Sequence, residues 1–312
     1  MLFLKRSLTF IVATVLTAYP QVHSTQMASL HPTATFRLGG DPDWMAISDD
    51  AVRVTTSKLN QVTQLLVATN TIGLKITVAD PCSGLIAAFG SLWIPSCGSH
   101  SLVRADLKTA MAQATIPAAP ADSEGCIAAN TDSIWLATSA KGVLSRIDPK
   151  TNSILAEIAI PSGSFCPVFA DNFVWITSTQ NNLLTKVDPS TNKVLAQIKI
   201  GKNPRFASAG AGSIWTLNQG DGTISRVDTK TGKLLANIPA QLVGHGGEIT
   251  FGFGSVWATL IGTPVTRIDA ASNAIVHQRK GAGGDSIRAG HGSIWLTDLK
   301  AGAVWRFSPS QL

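Results

Sequence analysis

The side chains best suited to chemistry crowd the C-terminal third of the chain: His245, Glu248, Asp285, Arg288 and Asp298. A histidine among carboxylates could move protons, and paired acids could hold a divalent cation. A glutamate and an arginine brought together could orient a polar ligand. The four cysteines, Cys82, Cys97, Cys126 and Cys166, show no Cys-x-x-Cys or Cys/His zinc spacing, so no structural metal is expected. No histidine stands near any of them in sequence phase, which argues against a thiol nucleophile. Whether the acids meet depends on the elements that carry them.

Those elements repeat. Six tryptophans share one local pattern, from Ser91-Leu92-Trp93 to Ser293-Ile294-Trp295, at steps of 42, 40, 40, 42 and 38 residues. One further step back reaches Ala51-Val52-Arg53, with Arg53 in the tryptophan place. Seven units of about forty residues result, the period of propeller blades. A second motif keeps phase: Arg146-Ile147-Asp148-Pro149, Lys186-Val187-Asp188-Pro189, Arg226-Val227-Asp228 and Arg267-Ile268-Asp269. A turn such as Lys150-Thr151-Asn152 follows, then an alternating stretch. Period-two flanks and Asp/Asn/Gly turns predict four short antiparallel strands per unit, a to d. A sheet with two apolar faces buries both only by stacking, so the fold expected is all-β, a seven-bladed propeller of four-stranded blades. The tryptophans are then packing between blades. The last unit lacks strand d, and the orphan strand Thr33 to Leu38 is expected to complete it.

Composition agrees. The chain has 312 residues, 45% hydrophobic and 14% charged, which excludes disorder. Its net charge of +6 is diffuse, with no basic block, so nucleic acid is not an expected partner. Lys5 and Arg6, the apolar Leu8 to Tyr19 and then Val22-His23-Ser24 read as a secretory signal peptide over 1–24, leaving 25–312 as the propeller. The expected location is secreted or periplasmic, without membrane attachment after leader removal, and the protein is expected to be a monomer. Oxidising surroundings allow cysteines to pair. Cys82 and Cys97 lie opposite each other across one a–b hairpin. Cys126 and Cys166 occupy equivalent places in neighbouring units and are candidates for a second bridge.

Strand a is innermost. Counting back from the tryptophan frame, alternation turns the ninth and seventh preceding residues toward the channel. Together with the d–a and b–c loops, this predicts a mouth built from Trp44, Glu124, Arg205, Phe206, Glu248 and Arg288, with Asp43, His245, Asp285 and Asp298 around it. That is a concave ligand site with convergent polar groups. A second reading has Glu248 and Arg288, on neighbouring blades, simply pairing to plug the channel. His245 also reads as a loop histidine without a task.

Seven units with Trp-Ile-Thr on strand b, as in Trp175-Ile176-Thr177, and Arg-x-Asp-Pro-x-Thr-Asn at the c–d turn resemble the secreted YVTN-type propeller repeat proteins, with Trp for the family tyrosine. The architecture also resembles the streptogramin B lyases, which open a cyclic depsipeptide by elimination with Mg²⁺. The resemblance implies a histidine at the start of one strand a and a glutamate after the strand-b tryptophan of the same blade. Blade seven carries Asp285 and Asp298 at those places, and blade six Gly247 and Leu260.

The expected function is a secreted binding or interaction propeller, non-catalytic, taking an unknown small molecule or protein at the channel mouth, with no cofactor. The alternative is a lyase-like or metal-dependent lactone-opening enzyme. It would use the rim acids Asp285 and Asp298 with His245, and Mg²⁺ or Ca²⁺ as its cation.

Overall fold

The computed structural model describes Ser24–Leu312, so the predicted leader lies outside the described residues except for Ser24. Seven antiparallel sheets follow one another along the chain, each ordered a-b-c-d. In blade four the strands are Ser164–Ala170, Phe173–Ser178, Leu183–Asp188 and Lys193–Lys199. Innermost strands of successive blades touch. Strand a of blade seven, Ile287–Gly290, also touches that of blade one, Pro42–Ile47, so the ring is closed. Blade seven takes its outer strand from the N-terminal side. Ala34–Arg37 pairs antiparallel with Ala303–Phe307, Phe36 opposite Val304.

One element has no counterpart in the repeat. Ser24–Gln26 adds in parallel outside strand d of blade six, Ile275–Gly281, with Thr25 opposite Arg279. Met27 then tucks into the core beside Leu312. This strap and the closing strand cover edges that would otherwise present unpaired backbone.

The six repeat tryptophans are fully buried. Each also anchors a latch between blades. Arg226 lies 4.7 Å from the Trp215 ring and donates through Nε to Ser213 Oγ at 2.9 Å. Its Nη1 crosses to the next blade and donates to Ala270 O at 2.8 Å and Asn273 Oδ1 at 2.9 Å. Asn273 sits at φ 63°, so one residue makes the left-handed turn and receives the guanidinium. Arg306 repeats the latch from blade seven to blade one, donating to Val67 O at 2.8 Å and Asn70 Oδ1 at 2.7 Å.

The exceptions follow the same logic. Blade five turns on Gly232 instead of Asn, and the preceding blade carries Lys186 instead of Arg, with Phe173 in the serine place. Lys186 Nζ rests 3.7 Å from the Phe173 ring and reaches Thr229 O at 3.3 Å. In blade one the cation moves to strand b: Arg53, opposite Gln64, donates to Leu107 O at 2.8 Å.

Both predicted disulfides are present, Cys82–Cys97 and Cys126–Cys166. The second joins the inner edges of blades three and four, whose Cα atoms approach to 4.5 Å there. Among the described residues no helix is long and apolar enough to cross a membrane.

Three outcomes are expected. A charge-assisted latch is worth about 1.5–3 kcal/mol, so Arg226→Ala should lower the free energy of urea unfolding by that amount. Arg226→Ala and Asn273→Gly together should cost less than their sum; strict additivity would show that the two do not act as one unit. Replacing Cys126 and Cys166 by serine should cost about 3–4 kcal/mol on the chain-entropy estimate, read by the same titration.

Candidate functional site

The channel is blocked at mid-height by side chains from strands a. Trp44 of blade one meets Phe206 of blade five with ring centroids 5.7 Å apart, and Phe165 of blade four meets Phe206 at 5.5 Å. The Arg205 guanidinium lies over Phe165 at 4.6 Å. Glu248 of blade six pairs with Arg288 of blade seven, and Ser286 Oγ and Ile287 N also donate to its carboxylate. Trp44, Phe206 and Glu248 are almost wholly buried. Burial pushes the Glu248 carboxyl up, and Arg288 and Ser286 oppose the rise.

Above this plug opens a cavity of about 1150 Å³. Its wall comes from the d–a and b–c loops of blades six, seven, one, two and three, at the rim where the sequence placed a site. Asp43, Glu124, Asp285 and Asp298 line it, and so do Asp41, Asp80, Lys58 and Lys300, which the repeat frame did not single out. Their signal was only that they sit in loops of the same rim. His245 is exposed on the loop before strand a of blade six and does not line the cavity. Asp298 is buried and caps its own b–c turn, accepting from Ala301 N at 3.0 Å.

Arg288 differs from expectation. It lines the space below the plug rather than the mouth. Residues nine and seven places before the tryptophan both point inward, but two residues of strand advance about 7 Å along the channel axis. The seventh places therefore lie deeper than the ninth: Phe206 and Glu248 bound the lower space from above, and of the six residues expected at the mouth only Glu124 lines it, while Trp44, Arg205, Phe206 and Glu248 belong to the plug and Arg288 lies below it.

The Asp43 carboxyl faces that of Asp285 across the seam between blades one and seven. Asp43 keeps some surface open to the cavity, yet protein atoms crowd its carboxyl. Burial, then the charges of Asp285 and Glu124, hold it well above the usual aspartate range. Asp285 Oδ1 also accepts from Gly247 N at 3.2 Å. Gly247 has φ 84°, and a Cβ there would lie 2.2 Å from Thr259 O, so only glycine suits this turn. Burial raises Glu124 from 4.5 to about 7, with Asp285 adding to the rise and Arg205 opposing it.

The Mg²⁺ implied by the lyase resemblance finds no built site. Among the described residues no three His, Cys, Asp or Glu side chains converge as metal ligands. Asp285 Oδ1 is already engaged by Gly247 N at 3.2 Å.

No family model and no curated protein matches the chain. Solved structures do. A streptogramin B lyase superposes with TM-score 0.72 at 19% identity, covering 87% of this chain and 95% of its own. Virginiamycin B lyase from Staphylococcus aureus gives TM-score 0.72 at 19% identity, with 87% and 97% covered. A catalytically inactive histidine-to-alanine variant of the latter with quinupristin gives 0.71 at 18% identity over 88% and 97%. BamB from Moraxella catarrhalis gives 0.62 at 13% identity over 84% of each chain. At such identities the likeness concerns the propeller fold.

A carboxyl with a raised pKa keeps its proton in the folded chain after the unfolded chain has lost it. The stability it contributes is full below its unfolded pKa and is lost as pH rises through the folded one. For Glu124 that window runs from 4.5 to about 7. Melting temperature should fall less steeply across this window in Glu124→Gln than in the parent; identical slopes in thermal melts would contradict the assignment.

Proposed function

We propose that the protein is an exported binding propeller whose mouth takes a cationic organic ligand, without catalysis. The observation that carries this is the inverted local charge. A chain of net charge +6 sets six carboxyl residues against two lysines around one cavity. Concave sites with one sign of charge concentrate ligands of the other. Ile261 and Leu299 in the wall add apolar surface for the ligand body. The two disulfides suit folding in an oxidising compartment, and BamB-like and lyase-like propellers supply precedents only for the scaffold. The protein acts as a monomer in this reading.

Glu124 makes binding pH-dependent. A cation favours the ionised carboxylate, so affinity rises as the pH passes upward through about 7.

A second reading rests on Asp43, whose buried carboxyl is raised beside Asp285 and could pass a proton to or from a substrate without metal. It would make the protein an acid–base lyase or lactone-opening enzyme acting in the same cavity.

Titration with spermidine should raise the melting temperature at roughly pH 8 and raise it less at roughly pH 6. The combined substitution Asp43→Asn and Glu124→Gln should remove the effect, and Mg²⁺ at equal ionic strength should not reproduce it. A shift that Mg²⁺ matches, or that survives the double substitution, would refute the binding site. Turnover of a lactone or depsipeptide that Asp43→Asn abolishes would favour the enzyme.

A further inference from the structure

Below the plug the channel opens again, at the face opposite the acidic mouth, as a funnel of about 280 Å³. Its walls are strands a from the plug downward, beginning at Cys126, Cys166, Phe206 and Glu248. Read across blades two to seven, one position contributes Ile86, Ala128, Val168, Ser208, Thr250 and Arg288. Five of these are small, apolar or neutral, and the sixth is a guanidinium. Phe169 adds a half-buried ring to the same wall. Apart from Glu248, which is almost fully buried behind it, Arg288 is the one charged residue lining this space.

The guanidinium is only part used. Nη1 makes the ion pair with Glu248 and donates to Ile287 O at 3.0 Å. Nε and Nη2 have no protein acceptor among the described residues, and the Arg288 side chain is 21% exposed. Nε and Nη2 form the side-on edge of the guanidinium, the fork that matches the two oxygens of a carboxylate. Glu248 does not compete for that edge, because its own oxygens are occupied by Nη1, Ser286 Oγ and Ile287 N. A funnel with an apolar side at Ile86, Val168 and Phe169 that ends on an open guanidinium fork suits a molecule with an anionic head and a hydrocarbon body. Neither a cation nor an apolar molecule without an acceptor satisfies both parts.

We propose that this funnel is a second binding site, taking a small carboxylate with an apolar tail. Its head sits on the Nε/Nη2 edge of Arg288 and its tail lies against Ile86, Val168 and Phe169. The site is separate from the mouth, divided from it by the Trp44–Phe206 plug, and does not depend on what the mouth binds.

Isothermal titration of the full chain with sodium octanoate tests it, with octylamine as the ligand of equal tail and opposite head. One octanoate per chain should bind, and octylamine should not enter this site. Val168→Trp, which fills the funnel, should abolish octanoate binding. Arg288→Met alone leaves Glu248 buried and unpaired and risks misfolding. The pair Glu248→Gln with Arg288→Met removes the fork without leaving a charge, and should weaken octanoate about tenfold or more. Asp43→Asn, at the mouth, should leave it unchanged. Absence of saturable octanoate binding, persistence of that binding in Val168→Trp, or octylamine binding that Val168→Trp abolishes would each overturn the proposal; octylamine binding that Val168→Trp leaves intact reports the mouth.

Discussion

A cation held on strand b or c and donating into the next blade's c–d turn joins seven separate sheets into one body, in five blades as a guanidinium laid on the strand-b indole. A four-stranded sheet with two apolar faces gains most by stacking, but apolar contact alone tolerates sliding. The latch removes that freedom. Arg226 finds its acceptors at Ala270 and Asn273 in a single register, and Arg306 finds Val67 and Asn70 only when blade one stands beside blade seven. Three turns lack the acceptor asparagine: the donor changes to Lys186 before Gly232 and to Arg53 before Ala110, whereas Arg267 stays an arginine and reaches only Pro309 O, at 3.5 Å. Where the turn changes, the latch is therefore either rebuilt with another cation or weakened.

A rigid ring can carry a costly interior. Holding Asp43 and Glu124 protonated at pH values where they would ordinarily ionise opposes folding at neutral pH, as does burying Glu248. Glu248 is compensated by Arg288, Ser286 and a backbone N–H; Asp43 and Glu124 are compensated mainly by keeping their protons. The plug and the mouth thus use two different solutions to the same problem, a paired charge below and raised carboxyls at Asp43 and Glu124 above.

The architecture was legible because its carriers are local and repeated. The tryptophan frame gave the blade number, and the strand from Thr33 to Leu38 announced closure by standing in the phase of a strand d. The acids of the mouth were legible through that closure: Asp43 and Asp285 meet because blades one and seven are neighbours. The height of Arg288 in the channel was not, since alternation assigns a side and says nothing about which end is reached. The strap Ser24–Gln26 was also hidden. Three polar residues carry no alternation, and they are held by pairing with Gln278, Arg279 and Lys280, a partner strand far away in sequence.

Repeats also show where structure gives way to function. At the place of Asp43 and Asp285, ten residues before the tryptophan frame, the other blades carry Ser83, Gly125, Phe165, Arg205 and Gly247. A position needed for stacking would hold one residue class in every blade, as the buried tryptophan place nearly does. This one holds acids only in the first and last blades, the two that meet where the chain closes. Asp43 and Asp285 bring together side chains from opposite ends of the chain. An open array of the same blades would hold these carboxyls apart and leave Asp43 without the charge that helps to raise it. Ring closure therefore creates the mouth's unusual acidity as well as its walls, and a blade lost from the circle would remove the site before it removed the individual sheets.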